Sequence, residues 1–187
     1  MATFKHMSAC AAVAATLLPA VGLVASPASA PAKTLPRTSK PTTIERALLH
    51  SHELWATIDV CNPADQPDTV GIRGSMPGDG RARDQMYMSF RLQYEEAKTG
   101  AWYDLPGGGS AKFIHVGAGA SVRQGGRSFQ LQPQSGKPAF TLRGVVDYEW
   151  LRGSRVIETA TRTTTAGHKS LAGADPAGYT AASCLIG

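Results

Sequence analysis

The densest set of potential ligands in the chain is His50-Ser51-His52-Glu53. On an extended segment, alternation would put both imidazoles on one side, an arrangement suited to a metal ion. A tetrahedral site needs a third firm ligand, which the sequence does not mark out, so no metal is assigned. His115 lies inside FIHV and His168 follows TTTAG, and no Ser or Cys is placed to form a nucleophile–base pair with either. GGGSAK lacks the G-x-S-x-G of a nucleophile elbow and reads as a Gly-rich hairpin loop. KTG (98–100) lacks an S-x-x-K partner and reads as a turn. Asp147 and Glu149 share one side of a strand, as a cation site or acid–base pair would require, but also as an ordinary solvated face would. Glu95-Glu96 either alternate faces or sit in a turn. Asp65, Asp68, Asp79 and Asp84 lie in loops without calcium-loop spacing. No catalytic residue and no cofactor is assigned.

The residues that point to binding are aromatic or basic. Trp102 and Tyr103, in TGAWYDLPGGG, flank a loop where planar rings could stack on a sugar or anchor a partner. Arg81 and Arg83, in MPGDGRARD, would suit a trypsin-like pocket if that segment were the presented loop of a protease inhibitor.

The elements that must position these residues have a hydrophobic period of two. In QMYMSFRLQY, Met86, Met88, Phe90, Leu92 and Tyr94 alternate with Tyr87, Ser89, Arg91 and Gln93. In AFTLRGVVDYEW, Phe140, Leu142, Val146, Tyr148 and Trp150 share one parity, and Arg143, Asp147 and Glu149 share the other, with Val145 the apolar exception. These are strands with one face on a core and one in water. Leu54 to Val60, Ile114 with Val116, and Phe129 with Leu131 repeat the pattern more weakly. RVIETATRTTT, rich in β-branched residues, makes a further strand. Between them stand turn clusters: NPADQPD, PGDG, KTG, PGGG, RQGG, PQSGKP, RGS and GADPAG. IERALLHSHEL is either one helical turn or the lead-in to the first strand. Short punctuated strands without intervening helices predict an all-β, antiparallel sandwich in a single domain.

The N-terminus predicts export. Lys5 and His6 precede an uncharged apolar run and then ASPASAPAK, the pattern of a secretory signal peptide. Proline after Ala30 obstructs cleavage there, so the expected cut follows Ala32, with Ala30 second. The expected organisation is therefore a signal peptide over 1–32, a flexible Pro/Thr/Lys-rich segment over 33–46, and the sandwich over 47–187. Cleavage removes Cys10 and leaves Cys61 and Cys184, an even count that in an exported chain favours a disulfide. The formal charge of +5 is unevenly placed. Residues 33–46 hold four basic residues against one acidic, whereas residues 47–187 hold fourteen against thirteen. That balance argues against nucleic acid as the domain's partner. No membrane span is expected in the mature chain.

FTLRGVVDYEWLRGSRVIETATRTTT resembles the last two strands of an immunoglobulin or fibronectin type III-like sandwich. With GIRGSMPGDG, YMSFRLQY, GRSFQL, TTTAGH and ADPAGYTAASC, it resembles small secreted immunoglobulin/fibronectin type III-like proteins of high-GC bacteria, over roughly Trp55 to Gly187. The resemblance implies a fold and no particular activity. It also shows a departure, because the position two residues after Tyr148 is Trp150, where antibody-type domains have a core cysteine. A Cys61–Cys184 bond would instead tie the end of the first strand to a C-terminal tail returning beside it. The expected function is that of a secreted, non-enzymatic, monomeric binding or structural module, extracellular or wall-associated. Its partner would be cell-wall polysaccharide or an extracellular protein. The alternatives are the Arg-loop inhibitor and a hydrolase whose site the sequence does not reveal.

Overall fold

The structure is a computed structural model that describes residues 43–133, 136, 138–168 and 172–187. The expected signal peptide, its cleavage site, Cys10 and residues 33–42 lie outside the described residues. The segment left open between a helical turn and a strand lead-in is a helix, α1 (Thr43–Leu49). It starts four residues before the expected boundary at 47, because Leu48 is buried in the core and fixes the helix to the sandwich. Arg162 Nη2 donates to the Leu49 carbonyl at 2.8 Å, satisfying one of the acceptors that a helix C-terminus leaves open.

Among the described residues eight strands follow: β1 (Trp55–Cys61), β2 (Thr69–Met76), β3 (Arg81–Glu95), β4 (Trp102–Gly119), β5 (Arg123–Gln130), β6 (Phe140–Arg152), β7 (Arg155–Thr163) and β8 (Cys184–Ile186). They form two antiparallel sheets, β1-β2-β5 and β4-β3-β6-β7, with β8 continuing the β7 side of β6. This is the expected all-β, antiparallel sandwich. Compared with the seven-strand constant-type order, the fourth strand lies beside the third instead of the fifth. The core is built from the alternating residues: Met86, Met88, Phe90 and Leu92 of β3, Leu142, Val146, Tyr148 and Trp150 of β6, and Ile58, Val70 and Ile72 from the smaller sheet. Each large side chain so buried contributes about 1.5–3 kcal/mol. The polar tips of the two largest core aromatics are satisfied, since Trp150 Nε1 donates to Pro77 O at 2.8 Å and Tyr148 Oη to Trp55 O at 2.5 Å.

Two expected turns are strand segments. RQGG opens β5, with Gly125 opposite Gly74. A Cβ on Gly125 would stand 3.0 Å from Val116 Cγ1 and 3.3 Å from Met88 Sδ, so glycine lets β5 pack closely on the larger sheet. PGGG lies within β4 as a bulge. Between Arg91↔Gly109 and Gln93↔Asp104 the register slips, so that β4 loops out while β3 runs straight. Gly109, at φ 135°, would bring a Cβ to 2.4 Å from Phe90 O, and only glycine adopts that conformation without strain.

Cys61 and Cys184 form a disulfide with a Cα–Cα distance of 5.5 Å and a sequence separation of 123. The tail before Cys184 lies along the edge of β1 left free by β2. Thr165 N donates to Ala56 O (2.8 Å), Ile58 and Ala181 exchange two bonds (2.9 and 3.0 Å), and Asp175 N donates to Asp59 O (2.9 Å). A sheet edge that would otherwise present unpaired backbone groups is thereby covered.

Candidate functional site

Because the even-numbered residues of β3 point into the core, its odd-numbered residues form the outer face of the larger sheet, and directly paired residues on neighbouring strands share that face. Tyr87 stands between His115 of β4 and Glu149 of β6. Ser89 pairs with Asp147, which pairs with Thr161 of β7. Gln93 stands between Asp104 and Arg143, and Glu95 opposes Trp102. The result is a flat array of aromatic, amide and charged groups, most of them half-buried.

These groups hold one another in place. The Arg143 guanidinium lies 4.3 Å from the centre of the Trp102 ring, and its Nε donates to Gln93 Oε1 at 2.9 Å. Gln93 Nε2 donates to Asp104 Oδ1 at 2.8 Å, and Arg91 Nε stands 3.4 Å from the same oxygen. Arg91 also pairs with Asp147, whose Oδ1 accepts from Thr161 Oγ1 at 2.7 Å and whose Oδ2 accepts from Ser89 Oγ at 3.4 Å. A continuous chain of contacts therefore runs from Trp102 across four strands to Thr161. Burial lowers the Arg143 pKa from its ordinary value, and the Glu95 carboxylate beside it works the other way. Further along, His115 Nε2 is 2.7 Å from Gln85 Oε1, with its ring 5.1 Å from that of Tyr87.

The sequence-expected candidates separate on this framework. Trp102 faces the outer array, but Tyr103, the next residue of the same strand, points to the other side. It is 50% exposed and tilted against Tyr94 at 5.8 Å between ring centres. The two rings therefore do not make one platform. Arg81 and Arg83 are strand residues: the turn closes over Pro77–Gly80, with Gly80 at φ 81°, and β3 begins at Arg81. Asp84 is likewise within β3 and buried, paired with Arg152 at 2.7 Å, while Asp79 in the turn is 3.4 Å from the same guanidinium.

Glu96 accepts from Thr99 N and Oγ1 (3.0 and 2.8 Å) and so closes the KTG turn. Asp68 N donates to Asn62 Oδ1 at 2.7 Å, and Asp65 is exposed in the same loop. Asp147 and Glu149 share the outer side, with Asp147 occupied by the contacts above. His50 and His52 are exposed just after α1, and no group of three potential metal ligands occurs among the described residues. His168 is distant from the face: it stacks on Trp55 (4.3 Å, 13° between planes) and lies 2.9 Å from Thr165 Oγ1, and burial pushes its pKa down.

Sequence reasoning missed Arg143, Gln93, Arg91 and Asp104 as members of one array. The only available signal was their shared outward parity, which any solvated strand also has. No helix among the described residues is long and apolar enough to cross a membrane.

Comparison with protein-family models finds no match, and comparison with curated proteins finds none either. Among solved structures, Spo0M, a sporulation control protein from Bacillus subtilis, is similar over 59% of this chain and 47% of its own, at 13% identity and a TM-score of 0.29. The chain spans about half the length of that protein.

Proposed function

We propose that this chain is an exported, non-enzymatic recognition module, and that the outer face of its larger sheet binds a cell-wall polysaccharide. The observation that carries the reading is the Trp102–Arg143–Gln93–Asp104–Arg91–Asp147 array: a planar ring at one end of a row of polar groups already fixed by mutual bonds. Sugars present apolar C–H faces and hydroxyls. An indole takes the former and carboxylate, amide and guanidinium groups take the latter. Groups held in place before binding lose little conformational freedom when the ligand arrives. The expected export of the chain points the same way.

The test is co-sedimentation with purified cell walls and calorimetry with solubilised wall polysaccharide, using the unmodified chain and Trp102→Ala. Wall binding by the unmodified chain, weakened about tenfold or more in Trp102→Ala at unchanged thermal stability, is the expected result. Undiminished binding by Trp102→Ala would remove the outer face from consideration.

A further inference from the structure

The opposite end of β3 holds a concavity with different chemistry. Arg81 and Arg83 open β3, Arg152 closes β6 and Arg155 opens β7, and all four are exposed. Two hollows meet between them. One, of about 350 Å³, is lined by Arg81, Arg152 and Arg155, with Ile44, Leu48 and Ile157 as an apolar wall and Glu45 on the helix side. The other, of about 730 Å³, is lined by Arg81, Arg83 and Arg152 around Asp84 and Gly153. Both volumes are in the range of small-molecule sites.

The four arginines are not equivalent. Arg152 is committed: its Nε and Nη2 both donate to Asp84 (2.9 and 2.7 Å), and Nη2 reaches Asp79 at 3.4 Å. It braces the floor. No ion pair among the described residues includes Arg81, Arg83 or Arg155. Four arginines thus stand at the two hollows against Asp79, Asp84 and Glu45, two of which already hold Arg152, and the exposed guanidinium groups of Arg81, Arg83 and Arg155 are placed to receive an anion. The planar fork of arginine matches phosphate and carboxylate oxygens in two-bond contacts. The chain's own leading segment does not suit this place, since residues 33–40 carry Lys33, Arg37 and Lys40 and no carboxylate.

We propose that the paired hollows bind a ligand carrying two phosphate groups, with Arg81 shared between them, Arg83 serving one and Arg155 the other. Acceptor geometry selects phosphate over carboxylate: each phosphate group presents three strong acceptor oxygens where a carboxylate presents two, so a compact ligand with two phosphate groups offers three guanidinium forks more two-bond contacts than a polycarboxylate of similar charge.

The probe is pyrophosphate, titrated calorimetrically into the full chain at low ionic strength, with citrate as the carboxylate comparison. Saturable one-to-one binding is expected, tighter than that of citrate. Arg81→Gln should weaken it about tenfold, the loss of one charge-assisted contact. Arg83→Gln and Arg155→Gln should each weaken it less, and Arg127→Gln, on the other sheet, should leave it unchanged. All these side chains are exposed, so the variants should keep the fold, checked by circular dichroism. The proposal is overturned if pyrophosphate does not saturate, if citrate binds as tightly, or if the triple variant Arg81→Gln/Arg83→Gln/Arg155→Gln binds as the unmodified chain does.

Discussion

Cutting the Cys61–Cys184 cross-link should cost this domain a large part of its stability, by an amount the structure allows to be worked out. The bond closes a loop with a sequence separation of 123. In the chain-entropy description, a loop of that length restricts the unfolded chain by about 16 cal/mol/K, or about 5 kcal/mol at 25 °C. Spread over the unfolding entropy of about 140 residues, this corresponds to a fall in Tm of about 15 °C. The loss should begin at the tail, whose hold on β1 consists of a few backbone bonds, the stacking of His168 on Trp55 and hydroxyl contacts such as Thr57–Thr180 at 2.7 Å. Thermal unfolding followed by circular dichroism would compare the oxidised chain, the reduced chain and Cys61→Ala/Cys184→Ala. Cys184 is buried in the core, so the double variant should fall somewhat further than the reduced chain, by the packing it loses. Hydrogen exchange should show Ile58 and Ala181 losing protection before the centre of β6. A fall of only a few degrees on reduction, with the tail amides still protected, would refute the tether argument.

Two further predictions concern titratable groups. Hydrogen bonds from Arg152 hold the Asp84 pKa below its ordinary value, so its contribution is present at neutral pH and is lost as pH falls through the carboxylate range. Asp79 is displaced the other way by burial and by its contact with Asp84, so its contribution is present in acid and lost as pH rises through its raised value. Asp79→Asn can keep the contact that Oδ1 accepts from Arg81 N at 3.0 Å. It should raise stability at neutral pH and steepen the loss on acidification; lower stability at neutral pH in denaturant titrations would contradict this. For His168, whose pKa burial lowers, stability should be full above the ordinary imidazole value of 6.5 and fall as pH drops below it. His168→Phe, which keeps an aromatic ring against Trp55, should flatten the pH dependence of tail protection between about pH 4 and 7, and an unchanged profile would assign that dependence elsewhere.

The strands that sequence reading recovered are those whose two faces meet different surroundings. In β3 and β6 one parity enters the core and the other carries Arg, Asp, Gln and Glu, so the period of two is visible in residue type alone. β2 lacks this signal because it is buried along nearly its whole length. On its core parity Gly74 occupies a position where a Cβ would meet Tyr148 Oη at 2.9 Å, so glycine stands where a large apolar residue would have marked the strand. The glycines of RQGG and PGGG mislead in the same way: glycine signals a turn in isolation, but here it permits close sheet packing in β5 and a bulge in β4.

The amino-acid sequence by itself determined the all-β class, the inward and outward parity of the long strands, and the two cysteines available for pairing. Those properties follow from covalent geometry and side-chain chemistry along a few consecutive residues. Tertiary structure alone decided that Trp102 and Tyr103 part to opposite faces, that Arg143 lies over the indole, and that Arg81, Arg83 and Arg155 line two adjoining hollows. The physical reason is that such neighbours come from strands far apart in the chain. They are brought together by pairing register, bulges and sheet packing, and a shift of one residue in register turns every side chain of a strand to its other face.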